Sequence, residues 1–173
     1  MRPNSALAGQ RVLVIDSDLA HATTTVEILR AHGADADWVA DVTAGLRALA
    51  SREPTVLLLA LALASPAVPG APPQGDGGLW LLRRLRDDYM GRRPHVIVTE
   101  RADRVDARLA DFGVDAVMLK PASAETLLAA VLRAADPEDA THGQGWYREL
   151  IKASVLEGDT QFARLGIWGM DWV

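Results

Sequence analysis

The sequence contains no cysteine, and this absence removes several classes of chemistry. Without thiols the chain cannot form disulfides, bind a metal through thiolates or use a cysteine nucleophile. Aromatic residues are also scarce, at 5% of the chain, and three of the five tryptophans lie in the last 28 residues.

An excess of positive charge is missing as well. The formal net charge is -5, so the chain lacks the electrostatic footprint of a protein that binds nucleic acid or an anionic membrane. The first ten residues contain one basic residue and no apolar segment, so we expect no secretion signal and a cytoplasmic location. With 173 residues, of which 49% are hydrophobic and 24% charged, the composition predicts one globular domain with some length left over.

No charged residue occurs from Pro54 to Gly75. Nine consecutive apolar residues, 56–64, begin this stretch, and prolines at 66, 69, 72 and 73 follow them. A membrane-spanning helix needs about 20 mainly apolar residues, and the prolines interrupt the run well before that length. The run therefore predicts a central β-strand that is buried on both faces, as in parallel sheets.

Strand-like and helix-like patterns alternate along the chain. Predicted strands lie at residues 11–15, 36–40, 56–64, 95–99 and 115–119. Apolar residues recur at helical spacing after each strand, which predicts five helices, the last of them capped by Ser123. Strict alternation of this kind predicts an α/β fold with a five-stranded, parallel, doubly wound sheet and helices on both faces.

Polar side chains follow several of these strands. Because the carboxyl ends of parallel strands share one edge of the sheet, we expect the residues that follow them to lie close together. Two carboxylates, a hydroxyl and an ammonium group should meet there. The positions of interest after the strands are Asp16, Ser17, Asp18, Ala60, Thr99, Glu100 and Lys120.

The segments VLVIDSD, PTVLLLALALASP, GDGGLWLLRRLR, HVIVTE and VMLKP, in this order, resemble the receiver domain of bacterial two-component response regulators. The resemblance covers residues 9–135 and implies a flavodoxin-like, receiver-type sheet followed by an extension over 136–173. It also implies a phosphorelay, in which an aspartate that ends the third strand attacks a phosphohistidine of a kinase. A divalent cation held by carboxylates, together with a lysine and a threonine, then stabilises the acyl phosphate.

Carried over residue by residue, the resemblance leaves the site incomplete. Asp16 matches an acidic position, Thr99 the hydroxyl and Lys120 the ammonium group, whereas Ser17 replaces an acidic neighbour. The phospho-accepting position falls on Ala60. We therefore expect a degenerate pseudo-receiver with no catalytic residue and no phosphorylation.

No shift of the alignment restores the missing acid. The sequence has no aspartate or glutamate between Glu53 and Asp76, and we interpret Asp76 as a solvated loop residue before a helix. Receivers also carry a small residue after the threonine and an aromatic residue before the lysine, and the corresponding residues here are Glu100 and Val117. This second departure predicts that the conformational switch of the family is lost too.

The same losses weaken a cation site. Asp16 and Asp18 alone offer few of the oxygens that Mg²⁺ requires, so we expect no metal and no cofactor. We expect Lys120 to act as the resident cation instead, paired with Asp16 and also with Glu100.

Two further segments depart from the receiver pattern. Residues 62–75 form a Pro- and Gly-rich insertion, which we interpret as a tolerated surface loop, with a lid or docking segment as the alternative. The extension over 136–173 has seven acids and three bases, a net charge of -4 that disfavours DNA binding. Its candidate interaction residues are Trp146, Phe162, Trp168 and Trp172, which should dock on this domain, on a second copy or on another protein.

These observations predict a phosphorylation-independent regulatory module that binds proteins and is not an enzyme. Its partner would be a second copy in a homodimer, a histidine kinase or another signalling protein. The alternative is a small-molecule sensor that uses the vacated pocket, lined by Ala60, Ala62 and Ala64.

Overall fold

The structure is a computed structural model that describes residues 5–65, 75–89, 92–105 and 107–135 of the chain. The strands are β1 (Arg11–Ile15), β2 (Asp35–Val39), β3 (Val56–Ala60), β4 (His95–Glu100) and β5 (Ala116–Leu119). Each overlaps a strand expected from the sequence. In β1, β3, β4 and β5 the reason is a run of apolar and β-branched residues, which favours an extended backbone that packs on both faces, whereas β2 (DADWV) is only partly buried.

All strand pairs are parallel, and the strands lie in the order β2-β1-β3-β4-β5. This order is that of a flavodoxin-like doubly wound sheet, so the predicted fold class is confirmed. The register places Ile15 opposite Leu59 and Ala60 opposite Thr99. The carboxyl ends of β1, β3 and β4 therefore meet where the strand order reverses, which is the usual location of a site in such sheets.

Four α-helices connect or follow the strands within the described residues. They are α1 (Leu19–Ala31), α2 (Val42–Arg52), α3 (Gly77–Asp87) and α4 (Ala124–Ala134). Asp18, Asp41 and Ser123 begin α1, α2 and α4, and each side chain accepts a hydrogen bond from a backbone N–H three residues later. These bonds satisfy donors that a helix leaves unpaired at its start. The predicted cap at Ser123 is confirmed.

The segment between β4 and β5 does not form the α-helix that the sequence predicted. Two 3₁₀ turns, Ala102–Arg104 and Ala107–Phe112, replace the predicted α-helix. Leu109 and Phe112, three residues apart as on one face of a helix, are nevertheless buried. Charged residues fill half of the positions 101–112, and aspartate is a poor helix former. This composition weakens the preference for an α-helix, and 3₁₀ turns are frequent in connecting segments.

The hydrophobic core lies on both faces of the sheet. Alternate residues of a strand point to opposite faces, so Leu57 and Leu59 pack with one set of helices and Val56 and Leu58 with the other. Every residue of β3 is buried. The charge-free run is therefore the central strand of the sheet, as the sequence predicted.

The apolar run leaves the sheet earlier than expected, because β3 ends at Ala60 and not at residue 64. The following residues receive the first turn of α3: Gly78 N donates to Leu61 O at 3.1 Å and Gly77 N donates to Leu63 O at 3.2 Å. A Cβ atom added at Gly78 would lie 2.5 Å from Ala60 O. Only glycine allows the helix and this segment to approach so closely.

None of the helices in the described ranges is long and apolar enough to cross a membrane. Residues 66–74 and 136–173 lie outside the described residues. Most of the insertion and the whole extension, including Trp146, Phe162, Trp168 and Trp172, therefore remain sequence-based expectations.

Candidate functional site at the carboxyl end of the sheet

The candidate site lies at the carboxyl ends of β1, β3, β4 and β5. Asp16 directly follows β1, Lys120 directly follows β5, and Ala60 and Thr99 are register partners at the ends of β3 and β4. Four residues that are far apart in the sequence are thus positioned by one parallel sheet. The structure brings them together as their places after the strands predicted.

Ala60 occupies the position at which the receiver resemblance requires an acid. It is only 3% exposed and belongs to the hydrophobic core on one face of the sheet. Ile15 pairs with Leu59, so the next residues of the two strands, Asp16 and Ala60, lie side by side. The site therefore contains a methyl group beside Asp16, at the position that the receiver resemblance assigns to a nucleophilic carboxylate.

Asp16 is 2% exposed, and its carboxylate has three hydrogen-bond partners in this chain. Its Oδ2 accepts from Lys120 Nζ at 2.6 Å and contacts His21 Nδ1 at 2.9 Å. Its Oδ1 accepts from the backbone N–H of Asp18 at 2.9 Å. Both carboxylate oxygens are therefore engaged by groups of this chain.

These contacts set the protonation state of Asp16. Burial raises the pKa of this carboxyl, because a charge is less stable away from water. The hydrogen bonds from His21 and Lys120 outweigh burial and hold the pKa of Asp16 below its ordinary value of 3.8. The group is thus a carboxylate at neutral pH, paired with a lysine ammonium.

Lys120 supplies the cation of the site, as expected, and its side chain is 15% exposed. Among the described residues its ion pair is with Asp16 and not with Glu100, so the expected second pairing is wrong. The carboxylate of Glu100 instead accepts hydrogen bonds from backbone N–H groups. Lys120 meets Glu100 only through the backbone, where Lys120 N donates to Glu100 O at 2.9 Å.

Glu100 is 4% exposed, and its carboxylate binds backbone N–H groups. Oε2 accepts from Leu61 N at 3.2 Å and from Ala62 N at 3.3 Å. Oε1 accepts from Arg101 N at 2.9 Å. The Glu100 side chain, at the end of β4, thereby holds the segment that directly follows β3. The sequence did not indicate this role.

The other candidate residues have smaller roles. Ser17 is exposed, and its hydroxyl donates to Ala62 O at 3.4 Å. Asp18 is exposed, and its carboxylate caps α1 by accepting from His21 N at 3.0 Å. Thr99 and Val117 are buried in the sheet. Asp18 is therefore a helix cap and contributes to the pocket mainly through its backbone N–H.

Two residues near Asp16 were missed by sequence reasoning. His21 lies in the first turn of α1, where the cap at Asp18 directs its ring to Asp16. Trp38 of β2 donates from Nε1 to the backbone carbonyl of Asp16 at 2.7 Å. The only sequence signal for the His21 contact was a histidine three residues after a capping aspartate. No sequence signal indicated the Trp38 contact.

The site does not fit the divalent cation that the resemblance implies. A magnesium ion requires several oxygen ligands, but Oδ2 of Asp16 already accepts from Lys120 and contacts His21, so only Oδ1, with its single hydrogen bond from Asp18 N, keeps a free lone pair. Ala60 offers no side-chain oxygen, and Glu100 faces backbone N–H groups. In the part of the chain that the structure describes, no group of three or more His, Asp or Glu is placed to hold a metal ion.

Comparison with solved structures identifies the same fold in response regulator receiver domains. A receiver domain from Methylobacillus flagellatus aligns with a TM-score of 0.59 and 23% identity, over 73% of this chain and 98% of that one. A receiver domain from Bermanella marisrubri aligns with a TM-score of 0.60 and 25% identity, over 73% and 98% of the two chains. A sensor protein from Polaromonas sp. JS666 aligns with a TM-score of 0.62 and 24% identity, over 74% and 97%.

No protein-family model and no curated protein sequence matches the chain. The similarity thus lies in the fold, which is that of receiver domains and is consistent with a signalling role of the response-regulator type.

Proposed function

We propose that this chain is an atypical response regulator, a cytoplasmic pseudo-receiver that acts through protein–protein contacts and without phosphorylation. The observation that carries the proposal is Ala60, a buried alanine at the end of the central strand, beside Asp16 and opposite Thr99. An alanine side chain cannot form an acyl phosphate. The chain therefore keeps the receiver fold but lacks the residue that would be phosphorylated.

The charges of the site support the same conclusion. Lys120, which would stabilise a phosphoryl group, forms a 2.6 Å ion pair with Asp16. Glu100 fills the space next to the end of β3 with a second buried carboxylate. The pocket thus satisfies its own charges, and a phosphoryl group would add negative charge where two carboxylates already lie.

Without a phosphoryl switch, the module would act through its surface and through the aromatic extension over 136–173. We propose a second copy, a histidine kinase or another signalling protein as the partner, and no enzymatic activity. The small-molecule-sensing alternative has less support at the base of the expected pocket, because Ala60 is only 3% exposed and presents little surface to a ligand. Of the other two expected lining residues, Ala62 is half-buried and Ala64 is exposed.

The proposal is tested on the full chain by adding acetyl phosphate with MgCl₂. Light scattering gives the oligomeric mass and a ¹⁵N-¹H NMR spectrum reports the conformation, with sodium acetate and MgCl₂ as the matched control. We expect both measurements to be the same in the two solutions. A change in mass or spectrum that requires acetyl phosphate would contradict phosphorylation independence.

A further inference from the structure

The carboxylate of Glu100 is buried and is held by three backbone N–H groups. Leu61 N and Ala62 N converge on one oxygen at 3.2 and 3.3 Å, and Arg101 N binds the other at 2.9 Å. A buried charge is costly unless donors surround it. Here those donors belong to the backbone, because the nearby lysine, Lys120, pairs with Asp16.

Two consecutive N–H groups that point at one oxygen form a small anion-binding concavity. Hydrogen bonds to an ionised acceptor are stronger than those between neutral groups, so such a concavity favours a negatively charged oxygen. Leu61 and Ala62 directly follow the central strand, at the edge of the sheet where the other site residues lie. The concavity is thus part of the sheet edge and does not depend on the side chains of these two residues.

The same segment also contacts α3. Leu61 O accepts from Gly78 N at 3.1 Å, and Leu63 O accepts from Gly77 N at 3.2 Å. Residues 61–63 are therefore held on one side by the Glu100 carboxylate and on the other by the first turn of α3. A change at Glu100 would reach the start of α3 through one short segment of backbone.

We propose that the backbone N–H groups of Leu61 and Ala62 form a binding site for a small oxyanion, which this protein fills permanently with its own Glu100 carboxylate. The bound carboxylate holds residues 61–63 and the first turn of α3 in one arrangement. For its role in signalling, this inference rests on the proposed phosphorylation-independent function. The bound carboxylate would keep the site in one conformation without a transferred phosphoryl group.

The test is rescue of Glu100→Ala by acetate. This substitution removes the CH₂–COO⁻ group, and acetate restores the same carboxylate with one methyl group. We expect the melting temperature to fall in the variant and to recover in part as sodium acetate is added. Acetamide, a neutral molecule of the same shape, and sodium chloride at the same concentration should give no recovery.

Matched controls separate this site from a general salt effect. The wild-type protein and Asp103→Ala, which removes an exposed carboxylate paired with Arg101, should show no specific response to acetate. A folded Glu100→Ala protein whose melting temperature ignores acetate, or responds equally to acetamide, would overturn the proposal. That result would leave the acetyl phosphate test of the proposed function, which measures oligomeric mass and conformation, unaffected.

A second variant keeps the proposal testable if Glu100→Ala fails to fold. Glutamine has one carbonyl oxygen and an NH₂ group, so Glu100→Gln cannot accept from all three N–H groups. We expect hydrogen exchange at the amides of Leu61, Ala62 or Arg101 to be faster in this variant than in the wild-type protein. Exchange at Leu61 and Ala62 that is already as fast as in an unstructured peptide in the wild type would contradict the proposal.

Discussion

Nζ of Lys120 lies 2.6 Å from Oδ2 of Asp16, an ion pair that joins the ends of β5 and β1 across the sheet. The side chains are 15% and 2% exposed, so water screens the pair poorly. Each charge therefore depends on the other.

Replacing Lys120 by methionine should destabilise the protein strongly. The substitution leaves the buried Asp16 carboxylate without its cation, which costs about 3 kcal/mol by comparison with other buried pairs. Urea unfolding at neutral pH measures the change. The double variant Asp16→Asn with Lys120→Met should be more stable than the single variant, because it removes the unpaired charge as well.

An exposed ion pair is the control for this measurement. Arg84 in the last turn of α3 is paired with Asp88, the residue that follows this helix, and both side chains are about half exposed. Asp88→Ala should change stability by less than about 0.5 kcal/mol, because solvent screens such pairs. Equal losses of unfolding free energy in Lys120→Met and Asp88→Ala would show that the buried pair contributes no more to stability than an exposed pair.

The stability of the protein should depend on the ionisation of Asp16. The contacts with His21 and Lys120 hold the pKa of Asp16 in the folded protein below its ordinary value of 3.8. Between these two pKa values the unfolded chain binds more protons than the folded one, so stability rises with pH. The contribution of Asp16 is therefore fully present above 3.8 and is lost as the pH falls through the folded-state pKa.

Acid titration of the unfolding free energy checks this expectation. The curve of Asp16→Asn should be flatter than that of the wild-type protein in the acid range, because asparagine does not titrate. His21→Ala removes one of the two side-chain contacts and should shift the acid-induced loss to higher pH. If Asp16→Asn lost stability with acid as steeply as the wild-type protein, the assignment to Asp16 would be wrong.

Replacing Ala60 by aspartate should make the stability of the protein depend on a bound cation. The new carboxylate would lie beside Asp16 in a buried site that already contains Glu100, and like charges at this distance repel. We expect a lower melting temperature that MgCl₂ raises, because adjacent carboxylates supply the oxygens that Mg²⁺ prefers. Ala64→Asp, at an exposed position of the same segment, is the control and should show no such response.

Two glycine-to-alanine substitutions should differ in a way that helix propensity alone cannot explain. Both Gly78→Ala and Gly45→Ala replace a glycine in a helix, which by itself favours alanine by about 1 kcal/mol. A Cβ at Gly78 would meet Ala60 O at 2.5 Å, whereas at Gly45 it would meet the flexible end of Ile15 at 2.6 Å. Because a backbone atom cannot move aside as a side-chain methyl group can, Gly78→Ala should be the less stable variant in thermal unfolding.

Most of the fold was predictable because its signals are local. The charge-free run of residues 56–64 predicted a central strand, and β3 is buried at every position. Ser123 predicted a helix start, and its hydroxyl accepts from Thr126 N at 3.1 Å. The 3₁₀ turns after β4 were not predictable, since the spacing of Leu109 and Phe112 defines a buried face but not the winding of the backbone.

The candidate site was predictable only in part. The places of Asp16 and Lys120 at strand ends predicted that they would meet, since parallel strands share a carboxyl edge. The contact of Glu100 with Leu61 and Ala62 depends on the register of β3 and β4 and on the direction of two backbone N–H groups. Side-chain patterns contain no information on that direction, so a pairing of Glu100 with Lys120 was expected instead.

Phosphorylation independence is tested most sharply by the intact mass of the protein after incubation with acetyl phosphate and MgCl₂. Because a buried alanine stands at position 60, we expect an unchanged mass. A mass increase of one phosphoryl group, carried by an aspartate and lost on mild alkaline treatment as expected of an acyl phosphate, would contradict it.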